Sequence, residues 1–370
     1  MITLTSTDPT PDLLPLQTHF PLIGYPEGRQ DIDGKGVTVV MIGNGWNLNH
    51  EAIGHNPNIG APPTVSWPVT EHDHDTAVLG ILGAVYGGTG IRGMCPSATI
   101  RPVYYGTLRD TLLAAQSILQ PGGVILMERV SPSSTAETPS ELSDDVFDAV
   151  KGCTDAGIIV VQPAGNTNTD LDEIRFMEKF RKESRDSGAI FMAAAYTKGG
   201  YVGPTGFSNY GSRIDLCAPG VDILSAGYGT WVGGENENRW YGKVKGTSYA
   251  GAIVAGACAC VNSARIAAGR PPLGALDMRS LLVTTSAETD QSSWRPGIQI
   301  GRMLNMRKAL ATAAPASADF DGDGKVGMKD FLAFCSAWGG TDARFDLDGD
   351  GKVGLPDFWI FTAAFGKGTG

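Results

Sequence analysis

Charge is scarce in this 370-residue chain, and positive charge is scarcer than negative. Charged residues make up 18% of it, and 29 Lys and Arg stand against 39 Asp and Glu, for a net charge of −10. That balance excludes a nucleic-acid binder working through a basic face. Long apolar runs are also lacking: none approaches the ~18 residues of a membrane span, so a transmembrane protein is not expected. Met1 to Phe20 has no basic start and no apolar core, so it does not read as a secretory signal. The six cysteines, Cys95, Cys153, Cys217, Cys258, Cys260 and Cys335, show no zinc spacing and no dense disulfide framework. They read as small buried apolar side chains.

What is present is a globular composition, 42% hydrophobic, with 50 Gly and 22 Pro for tight loops. The length fits two domains, or one large domain with a small appendage. Residues 1–30, with Pro9, Pro11, Pro15, Pro21 and Pro26, read as an irregular lead-in. From Gly36 short β-rich runs alternate with helical stretches. Val37–Ile42, Ile100–Tyr104, Val124–Met127, Ile158–Val161 and Ile190–Ala195 are expected strands. Thr76–Tyr86, Asp110–Leu119 and a helix capped by Ser143 and stopped by Gly157 lie between them. This alternation predicts an α/β fold, a mainly parallel sheet with helices on both faces, whose ligands sit at the C-terminal ends of the strands.

A break is expected at Ala311–Ala318, the small, Ala-rich stretch ATAAPASA. Beyond it an internal repeat appears: DFDGDGKVGMKDF starts at Asp319 and DLDGDGKVGLPDF starts at Asp346, 27 residues later. A 12-residue calcium loop needs oxygens at positions 1, 3, 5, 7 and 12 and a Gly at 6. The first copy offers Asp319, Asp321, Asp323, the Lys325 carbonyl and Asp330. The second offers Asp346, Asp348, Asp350, the Lys352 carbonyl and Asp357. Gly324 and Gly351 hold the sharp turns. Val326 and Val353 suit a short pairing between loops. Amphipathic segments, Phe331–Trp338 and Phe358–Phe365, follow. This module resembles the dockerin family, although its copies stand further apart. The resemblance implies calcium as cofactor and docking to a cohesin-like or cell-surface partner. The expected organisation is a lead-in over 1–30, a main domain over 31–312, a linker over 313–318 and a small α-helical calcium-loop module over 319–370.

Three segments carry chemistry. GTSYAGAIVAG at 246–256 sets Ser248 just ahead of an apolar helix, Tyr249 to about Ala268, with Gly269 as its stop. Free N–H groups and the positive end of the dipole at that terminus can stabilise an oxyanion. A Ser there can equally be an ordinary cap. VVQPAGN at 160–166 delivers Asn166 to a strand end, where its amide can donate to the same oxyanion. HDTAVLG at 74–80 opens a helix with His74, a general base for a nearby Ser.

Together these segments resemble the subtilisin-like serine peptidases, or subtilases. GTSYA fits the family's GTSxA motif, Ala164–Asn166 its AGN motif, and His74, Thr76, Val78 and Gly80 its His motif. IRGMCPSATIRPV at 91–103 and SNYGSRIDLCAPG at 208–220 resemble two further segments, so the likeness spans about residues 30 to 312. It implies a three-layer α/β/α fold and a serine endopeptidase acting on a polypeptide substrate outside the cell, with Ser248 as nucleophile, His74 as base and Asn166 in the oxyanion hole.

Two departures stand out. The triad Asp of the family ends the first core strand in a D-[ST]-G motif, but here that place reads MIGNGWN, with Gly43 in the Asp slot and Gly45 as the motif Gly. Asp75 replaces the Gly that follows the His. Asp73 and Asp75 flank His74, but neighbours in sequence are poorly placed to reach their own ring's Nδ1. Glu128, at the strand end in VILMERV, is the candidate substitute acid, with pairing to Arg129 or a place lining the cleft as alternatives. Two other functions compete: a pseudopeptidase scaffold binding a peptide or partner without turnover, and an anchoring subunit in which the calcium module is the main feature. Roughly 30 residues ahead of the core leave little room for an N-terminal folding segment.

Overall fold

The computed structural model describes the chain apart from residues 6, 30, 61–68, 104–106, 129, 133–135, 200, 290–296, 315–316, 343 and 369–370, and the side chains of 69–71 and 131–132. Arg129, Tyr104 and Pro315 therefore lie outside the described residues.

Apolar runs buried on both faces form the central sheet, as parallel strands covered by helices require. Its strands are β1 (Thr38–Ile42), β2 (Thr99–Val103), β3 (Val124–Met127), β4 (Ile159–Pro163), β5 (Ile190–Lys198), β6 (Tyr201–Pro204), β7 (Leu216–Pro219) and β8 (Arg302–Met303). The order across the sheet is β8-β7-β5-β4-β3-β1-β2, parallel throughout, and β6 folds back antiparallel on β5. Residues 39–42, 124–127 and 190–195 are buried without a break.

Register explains where the chemistry collects. Ile42 pairs with Met127 on one side and with Val103 on the other. The residues after them, Gly43 and Glu128, therefore leave the sheet side by side. The Gly43 N–H donates to the Val103 carbonyl at 3.3 Å, and the Glu128 N–H to the Ile42 carbonyl at 3.3 Å. β1 lies between β2 and β3, so the chain order reverses here, where such sheets open a crevice.

Helices α1 (Val69–Gly83), α2 (Leu108–Ile118), α3 (Asp144–Asp155), α4 (Thr247–Ala267), α5 (Ala275–Thr285) and α6 (Met306–Ala313) pack around the sheet. α1 starts about two turns ahead of the expected Thr76 and stops at Gly83, so His74 sits inside the helix and does not open it. Ser143 takes the cap position of α3, but its hydroxyl binds the Asp145 carboxylate and not the helix backbone. α4 is 21 residues long and apolar enough to cross a bilayer, which corrects the expectation that no stretch is. Residues Thr247 to Ala264 are all buried, with β1, β3, β4, β5 and β7 against them, so α4 is the core helix of this fold.

The lead-in is more ordered than its prolines imply. Ile2–Leu4 pairs in parallel with Val232–Gly234 in a second, four-stranded sheet completed by Tyr241–Val244 and Ile223–Ala226. Phe20 and Tyr25 lie under the Arg92 guanidinium, 4.4 and 4.8 Å from its carbon.

A second apolar core, separate from the first, gathers Ala318, Val326, Phe334, Phe345, Leu347, Val353 and Phe361 around α7 (Met328–Ala337) and α8 (Leu355–Ala364). Within the stretch 311–318 where a break is expected, residues 311–313 are helical, Ala313 and Ala314 belong to the first core and Ala318 belongs to the second. Val326 and Val353 do not pair with each other. The Val326 N–H donates to Lys367, and the Val353 N–H to Gly340, because both valines turn their side chains into the core. Of the six cysteines, Cys335 alone is exposed, on α7; the other five are buried and no disulfide joins any of them.

Candidate active site

His74 lies on α1, facing the ends of β1 and β3. Its Nδ1 is 2.6 Å from Asp75 Oδ1 and 3.6 Å from Glu128 Oε2. Asp75, a sequence neighbour expected to be poorly placed for the ring, does reach it here. Successive helix side chains diverge by about 100°, but backbone groups pull Asp75 back. Its Oδ2 accepts from the N–H of Asn44 and from the N–H of Gly45, the latter at 3.0 Å. Burial works against the Asp75 charge, yet the His74 hydrogen bond and charge and the two N–H groups outweigh it and hold the carboxyl below its ordinary pKa. An ionised carboxylate only accepts, so Nδ1 carries the proton and Nε2 is left free as a base.

Glu128 is the other carboxyl of this cluster. It is buried, and among the described residues neither oxygen has a partner within ordinary hydrogen-bond geometry. Burial, then the adjacent Asp75 carboxylate, push its pKa well above the ordinary value. Its neutral form is therefore favoured, and the proton has Asp75 to face. One atom from each of His74, Asp75 and Glu128 lies within 4.8 Å of the others.

The second half of the site is built at the N-terminus of α4. Ser248 is the second residue of the helix and is nearly buried, 6% exposed. Asn166 follows β4 in the loop Ala164–Thr169. Its Oδ1 accepts from the Thr247 N–H at 2.8 Å and from the Thr247 hydroxyl at 3.1 Å. On the other side Glu137 Oε2 accepts from Asn166 Nδ2 at 3.1 Å and from its backbone N–H at 3.0 Å. A carboxylate needs donors and an N–H needs an acceptor, so these partners fix which way the amide faces. Among the described residues Glu137 is the one acceptor for Nδ2, which has a second hydrogen. Asn209 holds the loop: Nδ2 donates to the Ala164 carbonyl at 2.7 Å and to the Glu137 carbonyl at 2.6 Å, while Oδ1 accepts from the Thr169 N–H at 2.9 Å. Gly165 has φ +100°, and a Cβ there would stand 2.5 Å from Asn209 Nδ2. Only glycine fits that close approach.

The halves meet through Tyr249, the residue after Ser248. Its ring lies 5.3 Å from that of His74, and its hydroxyl is 3.1 Å from that of Tyr228. The structure thus brings His74 to Glu128 and Asp75, and Asn166 to the helix of Ser248. Glu137 and Asn209 were not singled out from the sequence. Asn209 lies in the quoted SNYG segment, whereas Glu137 carries no local signal.

In the tail, one oxygen each of Asp319, Asp321 and Asp330 lie within 4.8 Å of one another, as do those of Asp346, Asp348 and Asp357. Asp323 and Asp350 stand outside these trios, each accepting from a backbone N–H two residues on. Burial, then the nearby Asp357, Asp350 and Asp346 charges, push the Asp348 carboxyl up to about 6. Such crowding of carboxylates fits a divalent cation, and the trios name the residues that would hold it. Arg307 of α6 meets one of these carboxylates, Asp346 Oδ2, at 2.6 Å. A cavity of about 500 Å³ is lined by Arg29, Asp31, Ala268, Phe320 and Phe345 among others, and by none of the active-site groups.

The model of the subtilase family matches residues 34–315. Subtilisin Savinase from Lederbergia lenta is 27% identical over 244 residues, 63% of this chain and 78% of that protein. The thermostable alkaline protease from Halalkalibacterium halodurans is 29% identical over 247 residues, 64% of this chain but 59% of that protein. Several such relatives are thus matched over little more than half their length. Among solved structures, a protease from Pseudoalteromonas arctica superposes with a TM-score of 0.59 at 21% identity, covering 82% of this chain and 99% of that one. That likeness is one of fold.

Proposed function

Because this chain belongs to the subtilase family, we propose that it is a serine endopeptidase that hydrolyses polypeptides. The single observation that carries the reading is the Asn166 amide locked at 2.8 Å to the first turn of the helix that bears Ser248. In this reading Ser248 Oγ bonds to the substrate carbonyl carbon while its proton passes to His74 Nε2. The carbonyl π electrons move to oxygen, and the second Asn166 Nδ2 hydrogen and the Ser248 N–H at the helix terminus take up that charge. Collapse breaks the C–N bond, and the His74 proton leaves with the amine. Water then repeats the sequence to free Ser248. Gly43 at the usual acid position is the one observation that favours a non-catalytic, peptide-binding scaffold.

The tail is proposed as a calcium-binding, dockerin-like module, with the domain boundaries expected from the sequence. Calcium there would stiffen the two loops and would take no part in the chemistry. Trp359, Leu332 and Leu355 on its helices and Trp338 just after α7 are all more than half exposed and support docking to a cohesin-like or cell-surface partner. Calcium loops of extracellular modules work at ~10⁻⁴–10⁻³ M, which fits a protein acting outside the cell. The test is casein hydrolysis by the purified full chain beside Ser248→Ala. Turnover by the intact chain alone supports the peptidase. Calcium-dependent binding to a partner with no turnover supports the scaffold or the anchoring subunit.

A further inference from the structure

The geometry points to Asp75 as the acid of a rearranged catalytic triad: we propose that it positions His74 from the helix side, in the space that Gly43 leaves open. The inference deepens the serine-peptidase reading and rests on it.

Three independent observations converge. Asp75 Oδ1 is 2.6 Å from His74 Nδ1, a full ångström closer than the nearer oxygen of Glu128. A Cβ built on Gly43 would stand 2.5 Å from Asp75 Oδ2 and 2.9 Å from its Cγ. The φ of Gly43 is outside the left-handed region, so it is this carboxylate, with the Trp46 ring 3.0 Å away, that excludes a side chain and not the backbone. Finally, Asn44 and Gly45, the two residues after the vacated slot, both turn their N–H groups to Asp75 Oδ2. The loop that would have carried the acid instead receives it. The two departures from the family pattern are then one exchange, an acid lost at position 43 and gained at position 75.

The chemistry needs an anion at Nδ1 that keeps the proton there and stabilises the imidazolium formed when Nε2 takes the Ser248 proton. Asp75 satisfies this with one oxygen while the other is anchored, so its orientation is fixed without a further side chain. The proton stays on Nδ1 throughout, and no bond to Asp75 forms or breaks. The trio with Glu128 has the composition of a metal site. Both Asp75 oxygens are already engaged by N–H donors, however, and one proton on Glu128 removes the repulsion between the carboxyls. Asp75 is a positioning residue, since it touches the base and not the substrate.

The experiment uses the full chain and four proteins: intact, Asp75→Asn, Asp75→Gly, and the transposed Gly43→Asp/Asp75→Gly. The rate of Ser248 labelling by a fluorophosphonate and casein turnover are both read. Asp75→Asn should lower kcat by about 10⁴-fold, as expected when the triad acid is neutralised. The transposed variant should recover at least about a hundredfold over Asp75→Gly, a rescue that no purely structural role gives. Separately, in a Ser248→Ala chain, proton NMR should show a strongly deshielded His74 Nδ1 proton that disappears in Ser248→Ala/Asp75→Asn. Asp75→Asn activity within tenfold of the intact chain, a folded transposed variant no better than Asp75→Gly, or a deshielded proton that survives Asp75→Asn would each overturn the inference. An intact chain with the Asp75-dependent proton but neither labelling nor turnover would sink the peptidase reading and leave the positioning role standing.

Discussion

Glu128→Gln separates the two carboxyls behind His74. Glu128 is buried with no hydrogen-bond partner among the described residues, beside an Asp75 that is held ionised by three N–H groups. Its pKa is raised in the folded chain, by burial first and Asp75 second. The sign follows from proton binding. Above the ordinary glutamate pKa the unfolded chain has lost this proton and the folded chain still holds it. Folding stability therefore falls with rising pH, by about 1.4 kcal/mol for each unit over which Glu128 stays protonated in the folded state. Glutamine has the shape of the neutral acid and cannot ionise, so it removes that slope. As pH rises above the ordinary glutamate range the variant should therefore gain stability relative to its parent. The assay is urea unfolding across this range, in a Ser248→Ala background that prevents self-digestion. Because the anion at Nδ1 is Asp75, Glu128→Gln in the active chain should keep kcat/KM within about threefold at pH 7. Equal pH slopes for variant and parent would refute the neutral Glu128. A thousandfold loss of activity would make Glu128 the working acid.

Other expectations are as specific. Asn166→Ala removes one oxyanion donor and should cost about 10²–10³ in kcat with little change in KM; Glu137→Ala, which frees the amide to turn, should lose a smaller part of the same kcat. Both are read from steady-state hydrolysis of a peptide substrate. Calcium affinity of the tail, measured by calorimetry on the full chain, should weaken as pH falls through about 6, because Asp348 is pushed up to about 6 and must lose its proton to solvent before it can bind the metal. The Asp348→Asn chain should show a shallower pH dependence of affinity, and an unchanged one would contradict this account.

The main sheet was legible because its strands are short, apolar and buried on both faces. Val124–Met127 appears as read, and β1, β4 and β5 shift only at their ends. The start of α1 was not legible, because HDHDT carries no apolar spacing to mark a helix. The Ile2–Leu4 strand was hidden because its partner, Val232–Gly234, is some 230 residues away. At the site, local motifs single out His74, Asn166 and Ser248 as candidates. Asp75 was visible as a departure, but its meaning needs three dimensions: the link between Gly43 and Asp75 is a shared volume, and sequence separation conceals it. Glu137 escaped for the same reason, since its side chain gains a role only where the Glu137–Pro139 strand crosses the Asn166 loop.

The most direct measurement is fluorophosphonate labelling of the intact, folded chain at pH 7, with the modified residue located by peptide mass spectrometry. The account predicts a single adduct on Ser248, absent from His74→Ala. A folded chain that takes no label, or takes it elsewhere, would contradict an activated Ser248 and with it the proposed peptidase.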